Sequence, residues 1–264
     1  MLMLSHCPVY FWKYMYKNKN LLLFPLTPPN ALSYIFEHNL VTKMRKLKIP
    51  WPWFYYDCLL RRSDVELLKG PYWINDALIG FYFEYLDKKY NKDEQKEIVF
   101  VSPELTQLLK MTDSSQYKSF LEPIGAMDAK ILLFPINNCQ SKVAAGGTHW
   151  SLLVYSKGNH VSYHLDSSSG FNNAIAEDFS RCLHDFFSAK FENRVTEVSC
   201  PQQHNSYDCG IFVLCLTDII VEHFLNTKKV GNWDWEPVET MVDYKRAEVD
   251  KLIVKLRTEL EEAG

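Results

Sequence analysis

The sequence predicts an α+β fold in which helices pack against a mixed β-sheet, and its apolar patterning supports this in three places. Residues 77–90 carry apolar side chains at helical spacing. Short apolar runs typical of buried strands follow at 130–136, 149–155 and 160–166. The tail over 244–260 again has the pattern of an amphipathic helix docked by one face. Because helices and strands occur in mixed order, we expect a mixed sheet with helices packed on it.

Local capping residues indicate where the first helices begin. Asn75 or Asp76 is a suitable N-cap for the helix over 77–90, since short polar side chains accept hydrogen bonds from unpaired helical N–H groups. Ser102 precedes Pro103, and proline is favourable at a first helical position. The remaining predicted elements are helices at 114–121 and 174–187 and a short strand at 194–198.

The chain has 264 residues and divides into two parts. Residues 1–50 contain apolar patches interrupted by lysines and prolines, and we expect a poorly ordered extension of unknown role. The run Leu21 to Leu26 is too short to span a bilayer. The domain itself is predicted over 51–264, with 244–260 as its C-terminal helix.

The composition excludes several classes of protein. A hydrophobic content of 47% and an aromatic content of 14% allow a sizeable core. The formal net charge of −3 gives no reason to expect nucleic acid or an anionic membrane as a partner. Seven cysteines without regular spacing fit a reducing compartment, and the sequence shows no recognisable secretory signal. We therefore expect the cytoplasm, the nucleus or both.

The spacing of cysteine and histidine over residues 200–215 does not favour a metal site. Cys200, His204, Cys209 and Cys215 lie close together in the sequence. However, the six-residue step from Cys209 to Cys215 corresponds to about 240° around a helix, so the two thiols would point to different faces. We expect no metal and no cofactor.

Cys209 is the candidate nucleophile. It follows the polar stretch 202–208 and precedes Gly210 and the apolar run 211–216, which places it at the first turn of a buried helix. Unpaired N–H groups and the positive end of the helix dipole favour a thiolate there. The alternative is an inert buried cysteine, which suits Cys215 better because that residue lies inside the apolar run.

A thiolate nucleophile needs a base, and hairpin geometry favours His149 among the eight histidines. A two-residue or four-residue turn around Gly158-Asn159 gives strand pairs whose numbers sum to 317, so that His149 lies opposite Ser168. Asp166 then faces the same side as His149 at a diagonal distance of about 7–8 Å. Its carboxylate is placed to accept the Nδ1–H of the imidazole. A core histidine beside an unrelated aspartate is the alternative.

Gln203 is the candidate oxyanion donor. It lies six residues before Cys209 in the same loop, and its amide NH₂, with the backbone N–H of Cys209, offers two donors to a developing oxyanion. A surface amide is the alternative for this residue.

The order His149, Asp166, Gln203, Cys209 resembles the sentrin/Ulp family of cysteine proteases. The matching motifs are the pair His149-Trp150, the nucleophile motif Gln203, Asn205, Asp208, Cys209 and Gly210, and the tryptophan motif Trp73, Asn75 and Asp76. The resemblance extends over roughly 54–226. Segments at 59–61, 63–65, 120–123, 144–155 and 205–210 are similar to the deneddylase branch, which removes the ubiquitin-like modifier of cullins.

The resemblance implies a thiol protease that cleaves after the Gly-Gly end of a ubiquitin-like modifier or its conjugates, with cullins as expected targets and a monomer as the expected state. It also implies substrate-binding roles: Trp73 and Trp150 would cover a tunnel that admits only glycine, Asp76 would contact the tail or cap a helix, and Gly146, Gly147 and Thr148 would belong to a closing loop. The alternatives are a SUMO-specific protease and, more remotely, an acyltransferase or a non-catalytic ubiquitin-like-binding module.

Overall fold

The computed structural model describes residues 51–92, 96–141, 146–187 and 195–262. The predicted extension over 1–50 lies outside the described residues, so its order and role stay a prediction. Among the described residues, the strands are β1 (Trp53–Tyr55), β2 (Cys58–Leu60), β3 (Ile98–Phe100), β4 (Ile131–Asn137), β5 (Trp150–Ser156), β6 (Val161–Leu165) and β7 (Val195–Glu197).

The α-helices of this part of the chain are α1 (Arg62–Glu66), α2 (Asp76–Tyr90), α3 (Pro103–Lys110), α4 (Tyr117–Leu121), α5 (Asn173–Phe186), α6 (Cys209–Thr227) and α7 (Val238–Glu262). Asn75 is the N-cap of α2 and accepts a hydrogen bond from the Leu78 N–H at 3.2 Å. Ser102 caps α3 in the same way, with Pro103 as the first helical residue. These two helix starts agree with the sequence-based expectation.

The main sheet has the strand order β3-β4-β5-β6-β7, while β1 and β2 pair separately as a two-stranded hairpin. The pairs β3–β4 and β6–β7 are parallel, and the pairs β4–β5 and β5–β6 are antiparallel. The sheet is therefore mixed, as predicted.

The β5–β6 hairpin has the predicted register. Leu152 pairs with Leu165 and Ser156 pairs with Val161, so paired numbers sum to 317. The connection spans residues 157–160, where His160 adopts a left-handed φ of 51°. A four-residue turn preserves the side-chain parity of a two-residue turn, and His149 and Asp166 both lie just beyond the strand ends on the same face.

Both faces of the sheet are covered by helices, which explains why β4 and β5 are apolar throughout. Leu133 and Val154 point into a core shared with α2, α6 and α7. Leu132 and Leu153 point to the opposite face, into a second core that includes residues from α3, α4 and α5. The sheet thus fixes the positions of its strand ends, where the candidate site lies.

Helix α6 is buried on most of its surface. By length and composition alone it is apolar enough to cross a membrane, but 67% of its most apolar window is buried inside the fold, as in the core helix of a packed domain. Its first turn lies next to β5, so its N-terminus is held at one end of the sheet.

Several local predictions differ from the structure. The strands β1, β2 and β3 were not predicted, because three-residue strands are too short to show a period. Helix α7 begins at Val238 instead of residue 244. Strand β7 is described from Val195, since Arg194 lies outside the described residues. His184 of α5 is buried, and its ring packs edge-on against Tyr155.

Candidate active site

Cys209 is the first residue of α6 and is 1% exposed. The loop before it is shaped by Asn205, whose Oδ1 accepts hydrogen bonds from the N–H groups of Tyr207 at 3.0 Å and Asp208 at 2.9 Å. The Asn205 amide also donates to Asp208 Oδ2 at 2.7 Å. An asparagine is suited to such a turn because its side chain substitutes for a backbone acceptor. The turn delivers Cys209 to the helix start, where backbone N–H groups are unpaired.

Gly210 allows the first turn of α6 to approach the segment before α2. A Cβ at this position would lie 2.4 Å from Ile74 Cγ1 and 3.5 Å from Trp150 Cδ1. Ile74 is fully buried and cannot move aside easily. The glycine after the cysteine is therefore required by packing.

His149 is hydrogen-bonded to Asp166, with 2.5 Å between His149 Nε2 and Asp166 Oδ1 and both residues 4% exposed. The expected use of Nδ1 for this bond is wrong. The hairpin register predicts that His149 and Asp166 lie close together on the same face. It does not predict the rotation of the imidazole ring, which decides which nitrogen meets the carboxylate. Cys209 lies near enough to His149 to raise the pKa of the imidazole, and Nδ1 is the ring nitrogen that the bond with Asp166 leaves free.

The charges and hydrogen bonds around His149 favour a protonated imidazole. Burial by itself lowers the pKa of His149, but the hydrogen bonds and charges of Asp166 and Cys209 outweigh it and raise the pKa to about 9. Burial likewise opposes ionisation of Asp166, yet the hydrogen bond and charge of His149 and two backbone N–H donors lower the pKa of its carboxyl. At neutral pH the pair is therefore an imidazolium beside a carboxylate.

The Asp166 carboxylate is held on both oxygens. Oδ1 accepts the Ser168 N–H at 2.9 Å in addition to its bond with His149, and Oδ2 accepts the Asn172 N–H at 3.0 Å. The backbone carbonyl of Asp166 accepts the Gln202 side-chain amide at 3.0 Å. The end of β6 is thus tied to the loop that precedes Cys209.

Gln203 lies in that same loop. Its backbone N–H donates to the Ser167 carbonyl at 2.8 Å, and its Oε1 accepts the Ser167 hydroxyl at 2.9 Å. Its Nε2 donates to the Asn205 carbonyl at 2.6 Å. Because an amide NH₂ has two hydrogens, one donor remains for a ligand after this bond is made.

The glycine-rich loop before His149 is described from Gly146 onward, and Ala144 and Ala145 lie outside the described residues. Gly147 has a φ of +92°, and a Cβ there would overlap Asn137 Oδ1 at 1.9 Å. Asn138 holds the following residues, because its Oδ1 accepts the N–H groups of Thr148 at 2.7 Å and His149 at 3.2 Å. This loop therefore leads directly into the candidate base.

The two candidate tunnel tryptophans have different environments. Trp73 is half-buried and its Nε1 donates to the Ser206 carbonyl, which connects it to the loop before Cys209. Trp150 is 1% exposed, and its Nε1 has no acceptor among the described residues. Asp76 is buried at the first turn of α2, but Asn75 and not Asp76 is the cap.

Two residues near the site were not identified from the sequence. Phe171 is 58% exposed, and its ring lies 4.9 Å from the His149 ring, centroid to centroid. Arg246 of α7 binds Asp208 Oδ1 through Nη2 at 2.6 Å and Nε at 3.1 Å. The sequence signal for Arg246 was Asp208, because a largely buried carboxylate is usually paired with a cation.

A thiol beside an imidazole, which is oriented in turn by a carboxylate, is the arrangement of enzymes that use cysteine as a nucleophile. Residues 72–259 match the Ulp1 protease family, C-terminal catalytic domain. The chain belongs to this family of cysteine peptidases, as its motifs predicted. Within the described residues, no three His, Cys, Asp or Glu side chains are grouped as metal ligands.

Relatives with known names cover most of the domain. The chain is 38% identical to human sentrin-specific protease 8 over 196 residues, which is 68% of this chain and 92% of that protein. It is 34% identical to NEDD8-specific protease 1 of Arabidopsis thaliana, over 78% of this chain and 93% of the plant protein.

Solved structures support the fold. The SUMO protease Ulp1 with its catalytic cysteine oxidised to a sulfinic acid aligns with a TM-score of 0.59 at 20% identity, covering 77% of this chain and 87% of Ulp1. The C-terminal Ulp1 protease domain in complex with Smt3, the yeast ortholog of SUMO, aligns with a TM-score of 0.56 at 18% identity, covering 87% and 97% of the two chains. The predicted α+β Ulp-type fold is confirmed.

Proposed function

We propose that this cysteine peptidase cleaves after the C-terminal Gly-Gly of a ubiquitin-like modifier, and that the modifier is the one that neddylates cullins. The hydrogen bond between Asp166 and His149, together with the nearness of Cys209 to His149, carries the proposal of catalysis. The choice of modifier is supported by relatives of 34% and 38% identity that are named NEDD8-specific protease 1 and sentrin-specific protease 8. Deconjugation, precursor processing or both fall within this proposal.

The chemistry begins at the Cys209 sulfur, with His149 taking its proton or holding it as an ion pair. A His149 whose pKa is raised to about 9 is charged at neutral pH, and an adjacent imidazolium favours the nucleophilic form of a thiol. The thiolate sulfur attacks the carbonyl carbon of the terminal glycine, and the carbonyl electrons move to oxygen. The free N–H of Gln203 and the backbone N–H of Cys209 donate to this oxyanion.

Collapse of the tetrahedral intermediate breaks the bond between the glycine carbonyl and the leaving nitrogen. His149 gives its proton to that nitrogen, which departs as the lysine amine of a conjugate or as the amine of a precursor peptide. His149, now neutral, takes a proton from water, whose oxygen attacks the thioester carbonyl carbon. The bond from that carbon to the Cys209 sulfur then breaks, which regenerates the Cys209 thiolate beside a protonated His149 and releases the modifier carboxylic acid, which ionises in water. Asp166 keeps the ring oriented through both proton transfers.

The modifier tail would reach Cys209 between the two tryptophans on one side and the loop before His149 on the other. Trp73 is bonded to the Ser206 carbonyl, and Trp150 packs beside Gly210, so both indole rings lie next to the nucleophile loop. Gly146, Gly147 and Thr148 lead into His149 on the other side. We propose that these five residues contact the Gly-Gly end, with Asp76 contacting the tail upstream.

The principal alternative is a SUMO-specific protease of the same fold. The SUMO protease structures that align here are 18% and 20% identical, a level that supports the fold and not the modifier. A non-catalytic binding module is more remote, because the nucleophile, the base and the carboxylate are all present and His149 is hydrogen-bonded to Asp166. An acyltransferase is more remote because the named relatives are proteases. Cullin conjugates as targets, action as a monomer, and residence in the cytoplasm, the nucleus or both complete the proposal.

The decisive experiment uses modifiers with a C-terminal electrophile. NEDD8, SUMO and ubiquitin probes are incubated separately with the wild-type protein and with Cys209→Ala, and covalent adducts are resolved by mass. We expect wild type to form an adduct fastest with the NEDD8 probe and Cys209→Ala to form none. Cys215→Ala is the matched control, because that fully buried cysteine lies on the same helix and should leave labelling unchanged.

Each outcome decides one part of the proposal. Faster labelling by the SUMO probe would overturn the modifier and support the alternative. Wild-type protein that no probe labels would contradict the protease itself.

A further inference from the structure

A second buried histidine, His164 of β6, is connected to the active-site carboxylate by hydrogen bonds. The Asn172 N–H donates to Asp166 Oδ2 at 3.0 Å, and the Asn172 side-chain amide donates to Ser151 Oγ at 2.9 Å. Ser151 Oγ lies 2.9 Å from His164 Nε2, and His164 Nδ1 lies 2.7 Å from Glu197 Oε2. A continuous network therefore runs from Asp166 to a carboxylate on β7.

The inner members of this network are shielded from solvent. Ser151 is 1% exposed, and Asn172 and His164 are 0% exposed, whereas the Glu197 side chain is 45% exposed. A buried polar group that loses its partner is destabilising, so these side chains are confined to the positions in which they are hydrogen-bonded.

The direction of each hydrogen bond follows from one backbone carbonyl. Asn172 Nδ2 lies 3.3 Å from the Ile136 carbonyl, which can only accept, so the amide NH₂ faces both Ile136 and Ser151. Ser151 Oγ therefore accepts from Asn172. Its hydroxyl proton is then free to donate to His164 Nε2, and His164 Nδ1–H donates to the Glu197 carboxylate.

The network acts on the carboxylate that orients the base. Asp166 uses Oδ1 for His149 and Oδ2 for the Asn172 N–H. Rotation of the carboxylate breaks both bonds together. The Asn172 backbone is located by its own side chain, which is anchored to Ser151 of β5 and to the Ile136 carbonyl of β4. The position of Asp166 thus depends on groups that touch neither Cys209 nor a substrate.

We propose that Ser151, His164 and Asn172 are positioning residues that hold Asp166 in the orientation in which it binds His149. This inference rests on the proposed function, because it assigns these residues to the same catalytic group. Glu197 is the outer end of the network and fixes the His164 ring through Nδ1.

The test compares two buried strand serines. Ser151→Ala removes the link between Asn172 and His164. Ser162→Ala is the matched control, since Ser162 is 0% exposed on the neighbouring strand and its hydroxyl meets Ser180 Oγ at 2.6 Å, away from Asp166. Thermal unfolding of both variants shows the general cost of a lost buried hydroxyl.

Two measurements report on the site without any modifier. The first is the rate of iodoacetamide alkylation at Cys209, read by peptide mass, and the second is the NMR titration of His149. In Ser151→Ala we expect alkylation at neutral pH to slow about tenfold, the factor that corresponds to one pKa unit, and the pKa of His149 to fall toward its ordinary value. Ser162→Ala should leave both readouts at wild-type values.

A pair of His164 variants keeps the test independent of Ser151. His164→Gln retains a polar group able to bond Ser151, and we expect it to preserve alkylation within about threefold, less than the tenfold step of a full pKa unit. His164→Leu removes that group and should behave like Ser151→Ala. Wild-type readouts in both Ser151→Ala and His164→Leu, or equal losses in the Ser162→Ala control, would overturn the positioning role. Neither readout depends on cleavage, so failure of the proposed function remains distinguishable.

Discussion

At the scale of single residues, the protonation of His149 is decided by competition between burial and its two partners. Burial favours the neutral ring, whereas Asp166 and Cys209 favour the charged one and win. The Phe171 ring packs at a tilt beside the His149 ring and is itself mostly exposed, so an aromatic side chain lies between His149 and solvent on that side. The consequence is a base that is charged at rest and ready to act first as an acid.

Asp166→Asn should remove most of the pH dependence that His149 gives to stability. A histidine whose pKa rises from 6.5 to about 9 on folding stabilises the native state fully below pH 6.5, and this contribution disappears as pH rises through about 9. We expect the free energy of unfolding of wild type to fall by about 3 kcal/mol over that range from this group. The variant should lose most of this slope and lose turnover on the order of 10³-fold while keeping its fold.

Denaturant unfolding from pH 6 to 10 measures this effect. Asp178→Asn is the matched control, because the Asp178 side chain is 76% exposed. An unchanged slope or unchanged turnover in Asp166→Asn would show that another group orients His149.

At the scale of elements, the start of α6 is the critical junction of the site. Asn205 shapes the turn before it, and Gly210 lets its first turn pack on Ile74. The end of β6 and the loop before Cys209 are joined through Gln202 and Gln203. The position of Cys209 relative to His149 is therefore set by contacts of short loops at one end of the sheet.

Gly210→Ala should disturb this junction. The added Cβ would lie 2.4 Å from Ile74 Cγ1, a contact that forces Ile74 or the helix start to move, and overpacking of this kind costs about 1–3 kcal/mol. We expect lower thermal stability together with slower alkylation of Cys209. Gly158→Ala is the control, since nothing lies within 4 Å of a Cβ there. Equal behaviour of the two variants would contradict the packing argument.

At the scale of the whole molecule, α7 connects distant parts of the chain to the site. Lys245 is 1% exposed and binds Asp218 Oδ2 of α6 at 2.7 Å, and Asp218 in turn accepts the Tyr82 hydroxyl of α2. The next residue, Arg246, binds Asp208 and donates to the Leu67 and Tyr72 carbonyls at 2.9 and 2.8 Å. One turn of α7 thus fixes the positions of α2, α6 and the segment before Trp73 relative to one another.

Arg246→Ala should weaken both the fold and the site. The change leaves the Asp208 carboxylate and two carbonyls without their cation, and loss of one partner of a largely buried pair costs about 3 kcal/mol. We expect denaturant unfolding to show this loss in the free energy of unfolding. We also expect Cys209 labelling to fall at temperatures where the variant is folded. Lys255→Ala on the same helix is the control, because the Lys255 side chain is 70% exposed and its ion pair with Glu259 is a surface contact. Full labelling by folded Arg246→Ala would limit this residue to a role in stability.

Much of this site follows from local sequence. The order of His149, Asp166 and Cys209 is read directly from the sequence. Spacing predicts the helix start at Cys209 and the register of the β5–β6 hairpin, because strand parity and helix capping act over a few residues. The family motifs added the candidate roles of the two tryptophans. Short strands such as β3 could not be predicted, because they are too short to show a period and they depend on pairing with a neighbouring strand.

Only the tertiary structure decided the remaining features. The choice of Nε2 on His149 depends on a ring rotation that no spacing encodes. The network from Asn172 through Ser151 to His164, and the contact between Arg246 and the Tyr72 carbonyl 174 residues away, join side chains that neighbouring residues do not specify. The sequence by itself determined which residues stand at the ends of which elements, whereas packing of those elements determined which of their atoms meet.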